Sequence, residues 1–251
     1  MPGIFITKGM RVEIPPGGLV ISLSGPPPPL RLHVHFDVCP SWCQLALRHL
    51  SNAKACASER DIAWAGTDES AKALALEREF EASMQAIVAA AIALDAFYAV
   101  VQTKVALPPS LVEKWRTGRT ARHSQIAQVL QRGFRISPQG MKNLKVHLKE
   151  VFRFRDLAIH PPGKIEAPLL HPELDVGVEW RFAYFRAVNA EAVVNSATAV
   201  IWQLSRSTKI VDEGIRQYVA GLATRMTELF PEGHPAFAQA TGAAATSEDV
   251  A

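Results

Sequence analysis

The stretch 86-AIVAAAIALDAFYAVV-101 is the most apolar in the chain, and its reading decides the fold. A spanning helix needs about 20 apolar residues in a row, whereas this run is shorter and is broken by Asp95. It reads instead as the middle of a buried helix, running from about Asp68 to Val105. Leu76, Phe80, Met84, Ile87, Ala91, Leu94, Tyr98 and Val101 recur along one face at helical spacing.

The pattern continues on both sides. A helix is expected from about Ser41 to Ala65, and "LPPS" closes the central one. Ser110 and Glu113 have capping-box spacing for a short helix, and another covers Arg122 to Phe134. Ser137 followed by Pro138 reads as a cap and first-turn proline, opening a helix that ends at the Pro161-Pro162 pair. A proline-rich loop over 161–177 leads to a long helix from about Val178 to Ser205, and a last helix covers about Thr208 to Leu229. The first forty residues differ: short β-favouring runs such as "RVEIP", "GLVISLS" and "LRLHVHFDV" alternate with "PPGG" and "GPPPP". The expected class is mainly α, with a small β-rich N-terminal appendage over 1–40, a helical bundle over 41–232 and a flexible C-terminal tail over 233–251.

With 251 residues and 48% hydrophobic content the chain can bury a substantial core. Its formal charge of +3 is too small to imply bulk polyanion binding, so any nucleic-acid argument rests on where charges sit. Three cysteines, an odd and sparse set, fit a reducing cytoplasm better than a disulfide framework. The N-terminus lacks the charged and apolar regions of a signal peptide, so the expectation is a cytoplasmic protein without a membrane partner.

The helix before the proline pair contains 151-VFRFRDLAIHPP-162. Stepping 100° per residue from Leu144, Leu148, Val151, Phe152 and Ile159 make an apolar stripe, and Arg155 falls inside it at about 20°. Lys142, Lys145, Lys149 and Arg153 fall between about 100° and 180°, a separate basic face. A guanidinium stays charged and cannot be left dry and unpaired. Arg155 therefore needs either an ion pair, for instance with Glu77, Glu81 or Asp95, or a pocket open to anions. His160 lies about 140° away on an ideal helix. The two share a site only if the last turn opens or a second subunit completes it.

The residues "RDLAIH" match the R-x4-H form of the motif of the HEPN superfamily, including a polar residue, Asp156, directly after the arginine. The run 86–101 is similar to the alanine-rich helix that precedes that motif, and 178-VEWRFAYFRAVNAEAVVNSATAVIWQL-204 to the helix that follows it. The full R-x4-6-H signature also matches at Arg116/His123 and Arg153/His160. The position at a helix end between two long helices favours Arg155/His160.

The resemblance covers about residues 41–230. It implies an antiparallel HEPN-like bundle, dimerising so that two motif helices face each other, and metal-independent RNA cleavage. His160 would act as general base or acid. Arg155 would hold the scissile phosphate, and Asp156 would orient the histidine or a neighbouring donor. Lys142, Lys145, Lys149 and Arg153 would contact RNA phosphates. Toxins and defence effectors are the implied setting, with an antitoxin or other protein as a further partner. The alternative is a non-catalytic HEPN-like interaction module.

His33, His35, Cys39 and Cys43 fall within "HVHFDVCPSWC". H-x-H with C-x3-C is not a standard zinc knuckle, and Pro40 stiffens the link. Strand histidines and buried thiols are expected, with neither metal nor cofactor. The basic loop 116-RTGRTARH-123 is either solvated surface or part of an RNA footprint.

Overall fold

The computed structural model describes residues 4–19, 31–160, 163 and 165–238. The chain forms two compact units, Met1–Val38 and Cys39–Ala251. In the first, β1 (Met10–Glu13) pairs antiparallel with β2 (His33–Phe36), placing Met10 opposite Phe36 and Glu13 opposite His33. A Cβ at Gly18 would meet the carbonyl oxygens of Pro15 and Arg31 at 2.8 and 2.9 Å, so only glycine lets those backbones approach there. Most of "GLVISLS", all of "GPPPP" and the Pro161-Pro162 pair lie outside the described residues.

The second unit is helical. α1 (Cys39–Trp64) and α2 (Glu69–Gln102) form an antiparallel hairpin, with Asp68 capping α2 by accepting from the amides of Ser70 and Ala71. α1 buries Cys39, Cys43, Ala46, Leu50, Ala53 and Cys56, spaced by three and four. α2, which packs on α1, buries Ala75, Ala82, Ala86, Ala90 and Ala93 along one strip, small side chains that let helix axes come close. The neighbouring strip of α2 buries Ile87, Leu94, Tyr98 and Val101. α2 packs most extensively on α1, α4 (Arg122–Phe134), α5 (Pro138–Ile159) and α7 (Ala187–Ser205). By length and composition α2 could cross a membrane, and 56% of its most apolar window is buried inside the structure. It serves as the central helix of the bundle.

The joints follow local chemistry. α3 (Pro109–Thr117) starts without the side-chain cap expected from Ser110, because the Pro108-Pro109 pair sets its first turn. Gly133, near the end of α4, fits closely beneath Val101 and Ile215; an added Cβ would meet them at 3.2 and 3.3 Å. Ser137 caps α5 by accepting from the amide of Gly140, with Pro138 at the first helical position. Phe97 packs against Phe134 and Tyr218 with ring centroids 6.0 Å apart, joining α2 to α4 and α8 (Glu213–Leu229).

The helix expected over 178–205 is interrupted. A short hairpin, β3 (Leu169–Leu170) with β4 (Gly177–Val178), leads into α6 (Trp180–Tyr184), and only then does α7 begin. The cause is a carboxylate from elsewhere: Glu79 of α2 accepts from the amide of Ala187 at 2.9 Å, fixing where α7 starts. Arg186 is extended there (φ −96°, ψ 158°), and its side chain donates to the Ala183 carbonyl. Of the tail expected from residue 233, Pro235–Ala238 forms a short helix, α9, and 239–251 lies outside the described residues.

Candidate functional site

α5 carries the residues singled out by the motif, and its burial is wider than its apolar stripe predicts. Phe154 is buried although it lies off the stripe, because Tyr184 and Phe185 of the α6 excursion pack on it with centroids 6.3 Å away. Ile159, on the stripe, is 49% exposed at the helix end.

Arg155 obtains the partner its position demands. Its Nη1 donates to Oδ2 of Asp95 at 3.2 Å, and its Nε and Nη2 donate to Oδ1 of Asp156 at 3.0 and 2.7 Å. The guanidinium also lies 4.5 Å from the centre of the Phe152 ring. The side chain remains 20% exposed, so this is a half-buried pair open to solvent on one side. The acidic residue that interrupts the most apolar run of the sequence is thus the counter-charge for the arginine on the apolar stripe of α5.

Asp95 serves a second arginine. Its Oδ1 accepts from Nε of Arg122 at 2.8 Å, and Arg122 in turn lies 4.2 Å over the Tyr98 ring. One α2 carboxylate therefore ties the first turn of α4 to the second half of α5. Burial raises the pKa of the Tyr98 phenol, and Arg122 partly opposes that shift.

His123, next to Arg122, is half-buried. Burial lowers its pKa and the charge of Lys149 lowers it further, against an opposing effect of Asp156; Lys145 adds to the lowering. His123 is therefore biased toward its neutral form, within electrostatic reach of three α5 side chains.

His160 caps α5 in a non-helical conformation (φ −125°, ψ 60°), its amide donating to the Asp156 carbonyl at 2.8 Å. The helix stays regular through Ile159, so the opening of the last turn is confined to His160 itself. The residue is exposed, and its ring makes no hydrogen bond among the described residues. Asp156 bonds Arg155, the neighbouring donor, through its carboxylate. Lys142, Lys145 and Lys149 are exposed on one face of α5 without a carboxylate partner among the described residues. Arg153 is also exposed, but it pairs with Glu150 at 2.9 Å and lies 4.5 Å over the Phe154 ring.

A second charged group went unread in the sequence. Arg60 and Glu79, each with a side chain at most 3% exposed, meet at 2.6 Å. Arg60 also reaches Glu173 at 2.6 Å and Asp61 at 2.8 Å, and Glu173 binds Arg186. Burial opposes the charge on Arg60, but its three carboxylate partners outweigh that and raise its pKa. Burial likewise pushes Glu79 up, opposed by the Ala187 amide and Arg60. The signal was available: Arg60 continues the buried stripe of α1 and Glu79 that of α2.

Among the described residues, no group of three or more His, Cys, Asp or Glu side chains is arranged to hold a metal ion. Comparison of the chain with protein-family models, curated proteins and solved structures finds no match.

Proposed function

We propose that this chain is a cytoplasmic, HEPN-type RNA-binding protein that cleaves RNA without metal as a homodimer. The observation that carries the reading is the setting of Arg155: a partly buried guanidinium held by Asp95 and Asp156, with His160 beyond it on α5 and His123 near α5 at the start of α4. Such a guanidinium is preoriented for a phosphate and keeps an open side. The unpaired Lys142, Lys145 and Lys149 would lead an RNA backbone along the same helix.

The chemistry needs one proton acceptor and one proton donor. A neutral histidine takes the proton from the ribose 2′-OH as its oxygen attacks phosphorus. The bond to the 5′-oxygen breaks, and a protonated histidine gives that oxygen its proton. The products are a 2′,3′-cyclic phosphate and a 5′-hydroxyl, and Arg155 stabilises the extra negative charge in between. The lowered pKa of His123 favours the neutral form an acceptor needs, and His160, exposed at the end of α5, is the second histidine the step requires.

The second reading is a non-catalytic interaction module, favoured by the same Asp95 pair: an arginine already holding two carboxylates has a structural role without any substrate. Incubating the purified full chain with RNA oligonucleotides in the presence of EDTA separates them. The ribonuclease reading expects cleavage with cyclic phosphate ends, lost by roughly 10²–10⁴-fold in Arg155→Ala, His160→Ala and His123→Ala with the fold retained. If the wild type leaves RNA intact and Arg155→Ala mainly lowers Tm, the interaction-module reading replaces it.

A further inference from the structure

The other end of α5 borders a cavity of about 710 Å³, within the usual range for small-molecule sites. Its walls come from the α4–α5 turn, the first turns of α5, the second half of α7, the α7–α8 connection and α9. Gly140 lies about 22 Å along the helix from Arg155, from the rise of 1.5 Å per residue. This cavity is therefore distant from Arg155, the phosphate-holding residue assigned above.

Its charge is one-sided. Arg135, Arg206 and Lys209 line it, and no aspartate or glutamate does. Several arginines elsewhere in the bundle are matched to carboxylates, among them Arg60, Arg122, Arg155 and Arg186. Arg135 and Lys209 have no carboxylate partner among the described residues. Arg206 donates only to neutral groups: the Trp202 and Ala223 carbonyls and the hydroxyls of Ser205 and Thr227. Arg206 also lies 3.2 Å over the Trp202 ring, and like Arg135 and Lys209 it is exposed, so the three charges meet the opening without an anion of the protein's own.

The remaining lining favours an anion with a body. Ser137 and Gly140, at the start of α5, bring the positive end of a 22-residue helix to the wall. A Cβ at Gly140 would meet Ile136 at 2.9 Å, so the turn is closed against the helix only because that side chain is absent. His147 and Ser196, hydrogen-bonded at 2.9 Å between Nδ1 and Oγ, make a polar wall. Phe134, Leu144, Leu204 and Phe237 make an apolar floor.

We propose that this cavity binds a small organic phosphomonoester, its phosphate held by Arg135, Arg206 and Lys209 beside the first turn of α5 and its apolar body seated on the floor. A dianion with three acceptor oxygens matches three cations better than a carboxylate does. The apolar floor selects an esterified phosphate over inorganic phosphate.

The test uses 1-naphthyl phosphate as probe, titrated into the full-length protein and followed by calorimetry. One molecule per chain is expected to bind, with a Kd between about 10 μM and 1 mM for a ligand of this size. 1-Naphthol, 1-naphthoate and inorganic phosphate are each expected to bind at least about tenfold more weakly, and Arg135→Gln and Lys209→Gln each to weaken the probe about tenfold with Tm unchanged. Absence of saturable binding overturns the proposal, as does equal affinity for naphthoate or binding that ignores both substitutions. RNA cleavage is read separately, so failure here leaves the reading of Arg155 untouched.

Discussion

Asp95 holds two guanidinium groups from two different helices, so its substitution is the sharpest probe of the α2–α4–α5 junction. Arg155, Arg122 and Asp95 are each between 20% and 39% exposed at the side chain, intermediate between a surface pair and a dry one. Asp95→Ala is expected to cost about 1–3 kcal/mol in urea denaturation, since surface pairs contribute under 1 and broken buried pairs 3–5. Arg155→Ala should cost less, because Asp95 keeps Arg122. An Arg155→Ala variant as unstable as Asp95→Ala would show that Arg122 carries none of the load. The arginine on the apolar stripe was legible because a fixed charge on a buried face demands a partner. Which of Glu77, Glu81 and Asp95 supplies it depends on helix crossing, and Arg122, in a loop-proximal basic run, gave no sign of sharing it.

At the scale of elements, the Arg60–Glu79 pair joins α1, α2 and the start of α7. Arg60→Ala leaves Glu79 buried without its ion-pair partner and is expected to cost about 3–5 kcal/mol. The double variant Arg60→Met/Glu79→Gln, which removes both charges and keeps an acceptor for the Ala187 amide, should regain much of that stability. Chemical denaturation of the three proteins checks this. Equal loss in the single and double variants would place the energy in packing rather than charge. The helix expected as one piece over 178–205 fails for the same cause: helical periodicity runs through Phe185 and Arg186, but Glu79 captures the Ala187 amide and fixes a new N-terminus there. The alanine face of α2 was equally hard to read, since alanine marks both exposed and closely packed helix surfaces.

For the whole molecule, acid sensitivity follows from His234. It is 1% exposed, bonded through Nε2 to the Thr198 hydroxyl at 2.9 Å and through Nδ1 to the Ala236 amide at 3.1 Å. Burial, and secondarily Arg206, lowers its pKa from the ordinary histidine value to about 4. The unfolded chain takes up a proton as pH falls below about 6.5, while the folded protein resists until about 4. The contribution is therefore complete above the first value and lost on acidification through the second, on the order of 3 kcal/mol. Urea midpoints between pH 7 and 4 should fall, and His234→Gln should flatten that fall. A parallel decline in both proteins would assign it to other groups. The proposed homodimer is checked by the mass in solution at micromolar concentration, where a strictly monomeric protein would remove the two-fold site.

The sequence by itself determined the class and order of the architecture: a mainly α chain, a small β-rich start, and a central alanine-rich helix interrupted by one acid. It could do so because apolar periodicity, proline pairs and caps are local and act within one or two turns. It also placed Lys142, Lys145, Lys149 and Arg153 on the outer face of α5, since angular position on a helix needs only counting. The tertiary structure alone decided that Asp95 serves both Arg122 and Arg155, that Glu79 splits the late helix, and that Arg135, Arg206 and Lys209 share a cavity. Each of these joins residues distant along the chain, and such pairings are set by helix packing rather than by any spacing along one helix.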